Sequence, residues 1–164
     1  MNNFPNETLW RQFEASIGML RKAIKICPPH IWESHLQFSC IAYRSLLWMD
    51  YYLTVNPEKF LPPHPFALTE FTSERSLQKC TYTQRQLLNY LLHNEEKACH
   101  LILCLNEELA NARWVNDYQN YSVLEIILFN IRHIQHHAAE LSMILRQEKQ
   151  VAPKWETVAL KAID

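Results

Sequence analysis

A single glycine, Gly18, in 164 residues sets the tightest limit on what this chain can fold into. Phosphate-cradling loops, dinucleotide folds and turn-dense β-sandwiches each need several positions where the backbone takes a positive φ or closely approaches a ligand. One glycine cannot supply them, and those classes are excluded. Helices need none, and the apolar residues recur at helical spacing. Leu9, Phe13, Ile17, Leu20 and Ile24 follow at steps of four, four, three and four, one stripe of a helix predicted from about Glu7 to Lys25.

Pro28 and Pro29 end that helix, because neither has an N–H to donate. A second is predicted from near Ile31, with Leu36, Cys40, Tyr43, Leu47 and Tyr51 facing inward, and Asn56-Pro57 closes it. The stretch to about Cys80 carries Pro62, Pro63 and Pro65. It reads as a long loop that either serves as a cover or dimer contact or is stapled to the helices by Phe60, Phe66 and Phe71. Thr83 with Gln86 makes a capping box and starts a third helix lined by Leu87, Leu91, Ala98, Leu101, Leu105 and Leu109. Ser122 with Glu125 repeats the device before a fourth, of about 26 residues, lined by Leu124, Ile127, Ile131, Ile134, Leu141 and Leu145. The tail around VAPKW reads as coil packed by Trp155. The expected fold is all-α: one domain over 1–164, an antiparallel four-helix bundle with a long connection between helices two and three.

Sixteen basic side chains against seventeen acidic ones give a net charge of -1, without the basic footprint of a nucleic-acid or anionic-membrane binder. The opening MNNFPNETLW has no leader pattern, and no apolar run nears the ~20 residues of a membrane span. A cytoplasmic protein with small-molecule partners is expected. Five cysteines without a C-x-x-C pair argue against a disulfide framework or zinc ribbon, so buried thiols are expected.

The chemistry gathers on the fourth helix. His133 and His137 lie one turn apart, so both imidazoles project from one face, as half of a metal chelate requires. Zincin chemistry is excluded, because Ile134 stands where that motif needs glutamate. His136 is rotated by about 100° from His137 and reads as a support or surface residue. His93 and His100 read as a solvated face. Neighbours in sequence assemble no nucleophile, base and orienter for a hydrolase.

The runs RHIQHHAAELSMILRQ and FSCIAYRSLLWMDYYL and the closing APKW resemble the DinB-like, DNA-damage-inducible superfamily of four-helix proteins across nearly the whole chain. The resemblance implies a homodimer and a divalent zinc or nickel ion held by a helix-two histidine and a helix-four H-x-x-x-H. It also implies kinship with bacterial thiol-dependent S-transferases, in which the metal activates a low-molecular-weight thiol. His133 and His137 match the helix-four pair, and Asp50 matches the family's helix-two aspartate. Arg44, after Tyr43, stands in the slot of the helix-two histidine, and a guanidinium cannot ligate a metal. Cys40, one turn earlier, is the alternative third ligand. Arg44 either pairs with Glu140 in place of the ion or reaches to solvent at the bundle end. Tyr43, Arg44, Trp48, His136 and Glu140 are expected to line the pocket, and Arg44→His to restore metal uptake. Two functions stand: a metal-dependent, thiol-transferase-like enzyme, or a metal-free module that binds a small anion or serves as a structural homodimer.

Overall fold

The structure is a computed structural model and describes residues 5–34, 37–68, 81–149 and 151–157. Leu36, Phe71 and Cys80 lie outside the described residues. Helix α1 (Asn6–Ile26) buries all five residues of the first stripe. A one-turn helix, α2 (Pro29–Trp32), follows, and α3 spans Phe38–Tyr52. The single second helix expected from the sequence is therefore two. Gln37, the residue entering α3, has φ 58, in the left-handed region, and a helix cannot run through such a residue.

The third predicted helix also divides, into α4 (Gln84–Leu103) and α5 (Glu107–Asn111). Asn106 starts α5 by accepting from the Leu109 N–H at 2.8 Å, while Asn6 donates to the carbonyls of Leu103 and Leu105, both at 2.9 Å. Gln84 performs the matching task for α1, donating to Ile24 O at 2.6 Å and Cys27 O at 3.1 Å. Each amide donates to carbonyls at or just past the end of a helix, where intrahelical donors run out. A hairpin absent from the sequence expectation comes next: β1 (Arg113–Val115) pairs antiparallel with β2 (Asn120–Ser122), Trp114 opposite Tyr121. Asn116 organises its turn by accepting from the Tyr118 and Gln119 amides at 2.9 and 2.7 Å.

Helix α6 (Val123–Lys149) is the longest element. Both predicted capping boxes are formed, Thr83 with Gln86 and Ser122 with Glu125. The bond from the Ser122 amide holds the Glu125 carboxyl below its ordinary pKa. Helices α4 and α6 each pack on α1 and α3. A core that includes Phe13, Ile17, Leu20, Phe38, Leu46, Leu87, Ile127 and Leu141 joins them. A second cluster, Tyr52, Trp114 and Ile126, seats the hairpin. The described part of the long loop is stapled: Phe60 is buried against Tyr51, and Phe66 stacks on Tyr90 with ring centroids 4.2 Å apart. The thiols are less uniformly buried than expected: Cys27 is buried, Cys40 and Cys99 are partly covered, and Cys104 is exposed.

The tail is held differently from the expectation. Trp155 is 68% exposed, and Glu156 makes the contacts. Its N–H donates to Met19 Sδ at 3.3 Å, and its carboxylate pairs with Lys22 on α1. The carboxylate rests against the place that a Cβ on Gly18 would occupy. Gly18→Ala should break this clip while improving helix propensity by about 1 kcal/mol. Tryptic cleavage after Lys154 should then be faster in Gly18→Ala, and equally in Glu156→Ala, with Gly18→Ala at least as stable as wild type in urea.

Candidate functional site: the α3–α6 seam

Contacts between Asn130 and Met49, then between His133 and Ser45, show α6 running antiparallel to α3. The inner face of α6 sets His133 against the α3 backbone, and its Nε2–H donates to Ser45 O at 3.2 Å. Burial pushes the His133 pKa down from 6.5 to about 4, with His137 and His136 adding smaller repulsions and the Ser45 bond opposing them. The ring is therefore neutral at pH 7. It meets Tyr52 edge-on, with centroids 5.5 Å apart, and His137 at 4.7 Å. One turn on, the His137 Nδ1–H donates to Glu140 Oε2 at 2.8 Å. His136 is exposed and its ring centroid lies 5.1 Å from that of His137.

The structure thus brings His133, His136, His137 and Glu140 together. It does not bring the α3 residues of the expected pocket to them. Arg44 and Glu140 are both exposed, and Glu140 pairs with His137, so the buried arginine–glutamate pair is corrected. The reason is angular. At about 100° per residue, Arg44 lies about 100° around α3 from Ser45, and Cys40 about 140° from it. The α3 surface that meets His133 offers a carbonyl instead of a ligand side chain. Tyr43 is buried on the α4 side, its hydroxyl donating to Ala67 O at 2.7 Å, its ring 4.7 Å from Tyr82. Trp48 stacks on Tyr52 at 5.6 Å, near the hairpin. The three-ligand centre implied by the resemblance therefore does not fit these residues: two imidazoles are in place, and neither Arg44 nor Cys40 faces them.

Asp50 takes a different part. It is 1% exposed on the α4 side of α3 and pairs with Lys97 at 2.6 Å. The Tyr90 hydroxyl donates to its other oxygen at 2.8 Å. Burial, then the Asp50 charge, raises the Tyr90 pKa far above its ordinary value. Lys97 also donates to Thr54 Oγ1 at 2.7 Å and to Asp50 O at 3.1 Å, which places a cation at the C-terminal end of α3 where the helix dipole favours one. With all these bonds made, the group is a structural clamp.

Sequence reasoning missed Lys97 and two buried amides. Asn94 on α4 donates to Leu46 O at 2.9 Å, and Asn130 on α6 donates to Met49 O at 3.0 Å. A signal existed for both: each asparagine interrupts an apolar helical stripe, Asn94 between Leu91 and Ala98, Asn130 between Ile127 and Ile134. Among the described residues no helix is long and apolar enough to cross a membrane. No family model matches the chain, and comparison with curated proteins and with solved structures finds no match.

Proposed function

We propose that the chain is a DinB-like four-helix bundle that works as a binding module, with the exposed, histidine-rich stretch of α6 as its ligand-facing surface. The observation that carries this reading is the placement of Arg44. It occupies the slot where the resemblance puts a metal ligand, and it is exposed and lies about 100° around α3 from Ser45, whose carbonyl His133 meets. A catalytic zinc centre takes three protein ligands and keeps one position open, and α3 contributes none here. A metal bound in such a centre activates a thiol by lowering its pKa. What this chain does with the same positions is pack them: His133 bonds to the α3 backbone, and Asp50 clamps α4.

Arg44→His tests the reading directly. It is expected to leave the metal content of untagged protein unchanged by elemental analysis, because position 44 lies about 100° around α3 from the Ser45 carbonyl that His133 meets. A gain of one bound zinc would restore the family's site and overturn the binding-module reading. Wild-type protein supplied with zinc, glutathione and an electrophilic acceptor is expected to give no S-transfer above the uncatalysed rate. Turnover abolished by His137→Ala would establish the transferase instead. The module is proposed to be a cytoplasmic homodimer with a small ligand and no nucleic-acid partner, its dimerisation measured by sedimentation.

A further inference from the structure

His136, His137 and Glu140 each place one ligand-type atom within 4.8 Å of the other two. We infer that these three side chains form a surface site for one divalent transition-metal ion, zinc or nickel, built on α6 alone. The inference rests on the binding-module reading and names its ligand.

Helix geometry makes the three converge. At about 100° per residue, Glu140 falls about 40° from His136 and about 60° from His137, one turn further along. Its carboxylate therefore stands over the gap between the two rings. One of its oxygens already sits 2.8 Å from His137 Nδ1, in a hydrogen bond whose proton a bound ion would displace. Ligand atoms in a tetrahedral zinc site are about 3.4 Å apart, from bonds of about 2.0–2.1 Å. The three ligand atoms lie within 4.8 Å of one another, so binding an ion requires small side-chain rotations, and His136 and Glu140 are exposed.

The donor set selects the ion. Two imidazoles with one carboxylate suit zinc, nickel or copper and disfavour magnesium and calcium, which take oxygen ligands. His133 is outside the set, because its Nε2–H is committed to Ser45 O and its ring is mostly buried. An ion held by three groups on the outer face of one helix keeps coordination positions open to solvent or to a small donor ligand. That is the behaviour of a binding surface, and it differs from the enclosed, α3-assisted centre that the resemblance implies.

Calorimetric titration of untagged, full-length protein with zinc chloride, repeated with nickel chloride, tests the inference. One equivalent should bind saturably. His136→Ala and His137→Ala should each weaken it at least about 10-fold, and Glu140→Gln should weaken it in the same direction. His93→Ala, which removes an exposed histidine of α4, should leave it unchanged. Circular dichroism of each variant should match wild type, since His136 and Glu140 are exposed. Absence of saturable uptake by wild type, or an equal loss in His93→Ala, overturns the site. S-transfer by the wild-type protein would overturn the binding-module reading while leaving the metal titration to stand or fall on its own.

Discussion

Replacing Asp50 by alanine should lower folding stability by about 4 kcal/mol. The carboxylate is 1% exposed and holds two partners, Lys97 at 2.6 Å and Tyr90 at 2.8 Å. Breaking a buried ion pair by removing one member costs about 3–5 kcal/mol, mostly because the other charge is left without compensation. Lys97 is 30% exposed, so water relieves part of that penalty, but the Tyr90 hydroxyl is orphaned as well, at about 1–3 kcal/mol. Against a typical total of 5–15 kcal/mol, the loss is severe. Urea unfolding should show it as a lower midpoint with an unchanged slope. Asp50→Asn keeps the acceptor for Tyr90 and should lose about half as much. Lys97→Met should be as damaging as the alanine, because it strands the carboxylate. A loss under about 1 kcal/mol in Asp50→Ala would mean that the network contributes orientation without stability.

Acid should remove about 3 kcal/mol more through His133. Its pKa is about 4 in the folded chain against 6.5 ordinarily, because burial disfavours the charged ring. Each pKa unit is worth about 1.36 kcal/mol. The unfolded chain binds the proton first, so this stability is intact above pH 6.5, declines as pH falls from 6.5 to 4, and is gone below 4. His133→Gln supplies a neutral donor for Ser45 O and has no proton to take up. The difference between wild-type and His133→Gln stability, measured by urea unfolding from pH 7.5 to 3.5, should therefore follow that fall. Carboxylate titrations common to both proteins cancel. A flat difference would show that the ring is solvated when protonated.

Helices, caps and the seam were legible to different degrees, for physical reasons. The long apolar stripes of α1 and α6 and the two capping boxes are local patterns, and local patterns survive into the fold. The breaks at Gln37 and between Leu103 and Asn106 were not read, since each depends on a contact from elsewhere or on a single backbone torsion. Asn6, which closes α4, is 97 residues from Leu103. The Asn106-Glu107-Glu108 run was an available start signal for α5, masked by the apolar spacing that continues through Leu105 and Leu109. His133 and His137 were found because one-turn spacing fixes a shared face. The side of α3 on which Arg44 and Cys40 lie was not legible, because a resemblance gives a position along the helix and says nothing of which way that helix is turned.

The turning of α3 is itself determined by a feature of the seam. Four of its carbonyls, at Ser45, Leu46, Met49 and Asp50, accept side-chain donors from both neighbours: His133 and Asn130 from α6, Asn94 and Lys97 from α4. The grip is on the backbone, and among these four donors only Lys97 also holds a side chain of α3, that of Asp50. Rolling the helix by one residue would unseat all four at once, as turning a key out of register lifts every pin. The orientation of α3 is thereby held by these backbone bonds, in which the exposed Arg44 takes no part.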